Sequence, residues 1–324
     1  MELSIAIEVQ EGVTWEDWTA VAAACEEHGV GSLYSSDHYL STAGTTERGS
    51  LDAWGVICGL AAVTSRLRLG TLVSPTTFRH PSVLAKLAVT ADHVSGGRID
   101  LGMGAGWHER EHRAYGFPFA DSASRMDVFE EQVAIVAGLL GTAPFSHVGL
   151  CYAYAEVDAR PKPVRGRIPL IVGGSAGRRS ARTAARWADE YNTGAVDAEE
   201  CRRRRRRLDA ACAEAGRDPA SLRLSVRRWM LTGRDQVDLD ARARAVAGFR
   251  GVPDRTPKDL LRGLAADGWL VGTLDAVAEQ LRSLAAAGAE RVVLALPLHR
   301  DLEHVALVGR ELAPRAASSA NAQG

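Results

Sequence analysis

Cysteine is scarce in this chain, with five in 324 residues and no Cys-x-x-Cys pair. Cys25, Cys58, Cys151, Cys201 and Cys212 are odd in number and scattered. That argues against a disulfide framework or a thiolate zinc site and fits free thiols in a reducing cytoplasm. Long hydrophobic runs are missing too. No stretch of about 18 apolar residues occurs, so no transmembrane helix is predicted. The chain enters directly into Leu3-Ser4-Ile5-Ala6-Ile7 without the basic and apolar regions of a signal peptide, and a cytoplasmic location is expected. Charge of one sign is also absent: the formal net charge of -1 gives no reason to expect a nucleic-acid or membrane partner. The Gly-x-x-x-x-Gly-Lys-Ser/Thr of nucleotide-hydrolysing loops is not present, and no Ser/His/Asp set stands out to support a hydrolase.

What remains is an ordinary globular composition, 46% apolar and 24% charged, long enough for a sizeable core. Short β-rich runs alternate with longer helical patterns. The candidate strands are 3–9, 32–35, 67–73, 99–104, 169–172, 190–193, 222–229 and 292–295. Helical patterns fall at 15–28, 51–64, 82–94, 125–140, 177–188, 199–215, 274–287 and 302–312. Thr14 with Asp17 reads as a capping box, and Gly29, Gly141, Gly216 and Gly288 stand where helices end. Such alternation implies parallel βαβ units. Eight strands fit a (β/α)8 TIM barrel with insertions, although alternation alone also admits an open doubly wound sheet. Segment 142–163 reads as a hairpin insertion, and Gly233–Val271 as a second insertion. Residues 1–313 are expected to form one barrel domain, and 314–324 a frayed tail.

Arg202–Arg207 are six consecutive arginines. On a helix they point all around the axis, so they cannot form one binding stripe. Glu199 and Glu200 lie four residues before Arg203 and Arg204, and Arg205 four before Asp209, which reads as a solvated, self-paired helix.

Chemistry is expected at the carboxyl ends of the strands. There lie Ser35-Ser36-Asp37-His38, the rim Gly102-Met103-Gly104-Ala105-Gly106-Trp107, and Gly173-Gly174-Ser175-Ala176-Gly177-Arg178-Arg179. The second departs from the dinucleotide fingerprint, because Trp107 stands where the third glycine belongs. Its glycines suit either a tight turn or a flat ligand's close approach. The third opens a helix with bare N–H groups, a hydroxyl and two arginines, which suits a phosphate. No second histidine or carboxylate falls at ligand spacing from His38, so no metal is expected.

The run 69–86, the segment 95–107, Ile171–Ser175 and Trp269–Thr273 resemble, in order, the bacterial luciferase-like flavin/deazaflavin oxidoreductases. The resemblance covers roughly residues 3–313 and is strongest to the branch that uses coenzyme F420. It implies a (β/α)8 barrel, usually a homodimer, holding F420, or alternatively FMN, at the strand carboxyl ends. It also implies a non-prolyl cis peptide at Leu72–Val73. The implied cofactor contacts are Asp37, Leu72, Val73, Gly104, Ala105, Gly106, Val172, Gly173, Gly174 and Ser175. His38 matches a residue near the hydride-carrying carbon, and Trp107, His108 and Glu109, which follow the rim in this chain, complete the candidate catalytic set. F420-dependent sugar-phosphate dehydrogenases carry a glutamate where this chain has Trp107, which favours an aromatic-walled pocket instead. Tyr39, Trp229 and His299 are further candidate walls; Trp229 reads equally as core, and His299 as a solvated cap. The expected activity is hydride transfer between F420 and a small organic substrate, with an FMNH2/O2 monooxygenase and a non-catalytic barrel as rivals.

Overall fold

In the computed structural model, which describes residues 1–42 and 47–317, parallel strands close on themselves. The strands are β1 (Glu2–Ile7), β2 (Ser32–Ser35), β3 (Arg68–Pro75), β4 (Ile99–Gly104), the hairpin β5 (Phe145–Val148) and β6 (Ala153–Val157), β7 (Leu170–Gly173), β8 (Glu190–Gly194), β9 (Arg223–Gly233), β10 (Leu270–Thr273) and β11 (Arg291–Ala295). The barrel order is β1-β2-β3-β4-β7-β8-β9-β11, and β11 returns to β1 with Leu3 opposite Val292. This is the (β/α)8 barrel, not the open sheet.

The helices, in order, are α1 (Trp15–His28), α2 (Ala53–Val63), α3 (Pro81–Ser95), α4 (Glu109–Tyr115), α5 (Ser122–Leu140), α6 (Arg178–Trp187), α7 (Ala198–Glu214), α8 (Gln236–Phe249), α9 (Pro257–Ala266), α10 (Leu274–Ala286), α11 (Leu302–Leu307) and α12 (Ala313–Ala317). Thr14 and Asp17 do form a capping box at the start of α1, and Gly29 ends it in the left-handed conformation. The second insertion is not structureless: it holds α8, α9 and β10, and β10 extends the carboxyl half of β9. On α7 the Glu199–Arg203, Glu200–Arg204 and Arg205–Asp209 pairs all form, at 2.6, 2.8 and 2.7 Å. Helix α12 runs into the segment expected to be a tail; residues 318–324 lie outside the described residues.

Strand periodicity sorts side chains between two compartments. Ile5, Leu33, Leu69, Leu101, Val172 and Val292 face outward into one apolar layer beneath the helices. Ala6, Tyr34, Leu72, Ile171, Val293 and Ala295 face inward. At the amino end of the barrel the interior is ionic. Arg291 pairs with Glu190 at 3.0 Å and donates to the Tyr34 hydroxyl at 2.6 Å, which donates to Asp100 at 2.8 Å. Arg68 pairs with the same Asp100, and Arg223 with Glu2 at 3.0 Å. Buried charges of this kind persist only when paired and hydrogen-bonded. They plug one end, so the open end is the carboxyl mouth.

Between Thr71 and Ser74, β3 carries one residue more than β4 beside it. Such a bulge re-aims side chains, and here both Leu72 and Val73 pack with the interior cluster. The Leu72–Val73 peptide is cis, at the position the resemblance implies.

Candidate active site

A cavity of about 360 Å³ opens at the carboxyl mouth, within the range of small-ligand sites. Leu72 and Val73 form its floor, and Gly104, Gly106, Trp107 and His108 one side. The other side comes from Glu8 after β1, His38 after β2, and Arg227 and Trp229 on β9.

Val73 explains the glycines better than a ligand does. A Cβ placed on Gly104 would lie 2.7 Å from Val73 Cγ2, and one on Gly173 2.9 Å from both Val73 methyls. The glycines on β4 and β7 thus make a nest for this side chain, and only the rest of the rim is available for close approach. The bulge puts Val73 there.

His38 is held by a residue that the sequence reading did not single out. Its Nδ1 lies 2.9 Å from Glu111 Oε2, and the other Glu111 oxygen accepts from the Leu40 amide at 3.0 Å and from the Tyr39 amide. Glu111 is fully buried, on short helix α4. Burial alone would lower the His38 pKa, but the Glu111 hydrogen bond and charge, with Glu8 and Asp37 behind, raise it. Burial would likewise raise Glu111, and the His38 bond and the two amides bring it below the ordinary carboxyl value. Both partners report the same thing: a buried imidazolium–carboxylate pair. The remaining nitrogen, Nε2, has no hydrogen bond among the described residues, and the ring lines the cavity.

Glu8 stays ionised as well. Burial opposes this, and it is outweighed by the Arg227 guanidinium and by Gln10, which donates to it at 2.7 Å. His108 is pushed the other way, its pKa lowered by burial despite Glu111, and its Nδ1 is buried without a hydrogen-bond partner 3.7 Å from Glu111 Oε2. The rings of Trp107 and His108 stack at 5.1 Å, and both present an edge to His38.

The donor atoms of His38, His108 and Glu111 all lie within 4.8 Å of one another. Two imidazoles and a carboxylate are a set that binds transition metals. The expectation of no metal rested on sequence spacing, and folding overturns that ground. Glu111 is 73 residues from His38 along the chain and adjacent to it in space.

A family model described as luciferase-like monooxygenase matches residues 3–291 of this fold. The chain belongs to the luciferase-like monooxygenase family. An uncharacterised Mycobacterium tuberculosis protein is 31% identical over 221 residues, which cover 65% of this chain and 72% of that one. The FMNH2-dependent dimethylsulfone monooxygenase of Pseudomonas putida is 25% identical, over 75% of this chain and 64% of that one. Among solved structures, the coenzyme F420-dependent tetrahydromethanopterin reductase of Methanopyrus kandleri matches with a TM-score of 0.77. Its identity is 20%, over 97% of this chain and 99% of that one, and the likeness is one of fold. Family members are oxidoreductases or monooxygenases, and of those named here the reductase is F420-dependent and the sulfone monooxygenase FMNH2-dependent.

Several residues singled out in the sequence stand elsewhere. Glu109 is exposed and pairs with Arg113 at 2.6 Å, outside the cavity; the buried acid is Glu111, two residues on. Asp37 is fully buried, its Oδ2 accepting from Ser74 and Arg79, both at 2.6 Å. It anchors the loop before His38, and it does not line the cavity. Val172 is on the outer face of β7, since Ile171 takes the inward position. Arg179 is committed to Asp127 and Glu130, at 2.6 and 2.8 Å, and is not available to an anion.

Gly174 and Ser175 form an exposed loop at the mouth, following Gly173, which ends β7 beside Val73, and all three lie outside the cavity wall. Two of the loop's amides are already used: Gly174 N–H donates to Asn192 and Ala176 N–H to the Tyr191 hydroxyl, at 3.0 and 2.7 Å. The first turn of α6 has no side-chain cap. Ala105, half-buried, packs against the outer core while its neighbours form the rim. Tyr39 stacks on Phe78 at 5.1 Å, and His299 packs near Asp17. Trp229 is a wall.

Proposed function

We propose that this luciferase-like protein transfers a hydride between coenzyme F420 and a small organic substrate, reducing an unsaturated C=C or C=N bond. The observation that carries the reading is the His38–Glu111 ion pair, which faces the cavity with one imidazole nitrogen unshared. The chain's own groups fit a flat ring with a phosphate tail. Leu72 and Val73 offer an apolar floor, and Gly106 beside Gly104 a low rim. Ser175 and the uncapped start of α6, beside Gly173 and Gly174, offer amides to a phosphate.

When bound, the deazaflavin supplies the hydride and the protein supplies the proton. Hydride addition to an unsaturated bond leaves an anion, and a placed acid is worth roughly 10²–10⁴-fold in rate. His38 holds that proton at Nε2. Glu111 keeps the ring charged and fixes which nitrogen faces the cavity. Trp107 and His108 wall one side of the cavity, and Asp37 acts as a positioning residue through Arg79 and Ser74.

The second reading, an FMNH2- and O2-dependent monooxygenase, is supported by the sequence likeness to the Pseudomonas putida enzyme. Titrating the purified protein with F420 and with FMN separates the two. Tight F420 binding, with His38→Ala slowing single turnover about 10²-fold at unchanged cofactor affinity, is the expected result. Tight FMN binding with none for F420 would reverse the cofactor, and binding of neither would favour a non-catalytic barrel. A homodimer is proposed on the family resemblance and is read from sedimentation.

A further inference from the structure

A second chamber of about 220 Å³ adjoins the first, sharing Glu8, Thr42 and Trp229 with it. Its character differs. The half-buried rings of Trp229 and Trp269 stack at 5.0 Å and 14°, and Phe249 closes the opposite wall beneath the Arg48 guanidinium, 3.8 Å from its ring. Trp269 and Phe249 both come from the insertion between β9 and α10.

The charges around this chamber do not cancel. Glu8 is neutralised by Arg227, and Glu11 by Arg48 at 2.5 Å, whose other amine nitrogen is spent on the Phe249 carbonyl. His299, also on the wall, has its pKa lowered by burial and is neutral. That leaves Arg250, exposed at the rim, its guanidinium 5.7 Å from the Trp269 ring. Among the described residues no carboxylate pairs with it.

We infer that this chamber binds a flat, conjugated carboxylate, with the ring system against Trp229 and Trp269 and the carboxylate on Arg250. Aromatic faces favour planar partners, and an unpaired guanidinium favours a carboxylate, which it can hold bidentately. Describing the ligand as the substrate rests on the oxidoreductase reading above, since the chamber adjoins the cavity that His38 lines; the binding itself does not.

The test is calorimetric titration of the protein without cofactor, using trans-cinnamate, cinnamyl alcohol and cyclohexanecarboxylate. Cinnamate should bind about 10-fold tighter than either the uncharged or the non-planar probe, the discrimination expected of one charge-assisted contact or one stacking surface. Arg250→Gln should erase the difference between cinnamate and its alcohol, and Trp269→Leu should weaken both. Equal binding of acid and alcohol by the wild type, or an unchanged ratio in Arg250→Gln, overturns the carboxylate assignment. Cinnamate affinity unmoved by Trp269→Leu overturns the location. F420 and FMN titrations on the same variants keep the two readings apart: cinnamate binding that survives failed cofactor binding leaves the chamber standing and removes only the word substrate.

Discussion

Replacing Glu111 by glutamine tests whether the buried pair governs proton delivery. The glutamine oxygen can still accept from the Tyr39 and Leu40 amides, so the loop keeps those two bonds. Toward His38 it presents an NH2 group, which an imidazolium N–H cannot face. His38 must then turn neutral with Nδ1 as acceptor. The stability cost is that of one charge-assisted hydrogen bond, about 1.5–3 kcal/mol. Glu111→Ala leaves both amides and the imidazolium unpartnered and should cost about 3–5 kcal/mol. In the wild type the raised His38 pKa keeps the donor protonated to higher pH than a free histidine, so activity falls as pH rises through that value. In Glu111→Gln the fall should move to lower pH, and single turnover at neutral pH should drop about 10²-fold or more. Stopped-flow rates across pH, with denaturant melts for stability, read both effects. A Glu111→Gln enzyme with an unmoved pH profile and near wild-type rate would refute the argument, because the proton would then come from elsewhere.

Gly104→Ala should cost about 1–3 kcal/mol by overpacking, since its Cβ meets Val73 at 2.7 Å, and adding Val73→Ala should recover most of that loss; additive losses in urea melts would sink the nest. His304 is fully buried and desolvation pushes its pKa down to about 4, while its Nε2 accepts from the Thr232 amide at 3.3 Å. The unfolded chain therefore takes up this proton first, and acidification from pH 7 to 4 should remove about 3 kcal/mol of stability; His304→Gln should flatten the curve, and parallel curves would contradict this. Added zinc should inhibit through His38, His108 and Glu111, with His108→Ala relieving the inhibition and a chelator leaving untreated enzyme unchanged; zinc-insensitive activity would show that the cluster does not rearrange to bind a metal.

The barrel was legible because its strands are apolar runs with turn signals at both ends, and because strands and helical patterns alternate along the chain. Helix α4 was not. It buries Glu111 and His112, which are polar, so no apolar stripe marks it. The same property hid the partner of His38. Glu8 and Arg227 are 219 residues apart, and no local pattern joins them. Glycine spacing in the rim was visible, but its cause was not, because a bulge shifts register without leaving a signature in composition. Strand β10 has four residues and pairs only with the carboxyl half of β9, too little to stand out from the insertion around it.

The ionic plug at the amino end draws a group from nearly every barrel strand, from Glu2 on the first to Arg291 on the last. Arg291 pairs with Glu190 and donates to Tyr34, so a chain emerging from the ribosome lacks that part of the ionic network until its final strand arrives. Closure of the cylinder and completion of its charges are one event. A fragment ending before residue 291 is thus expected to stay loosely assembled however much of its apolar layer is present, which makes the end of synthesis the moment at which the mouth acquires its shape.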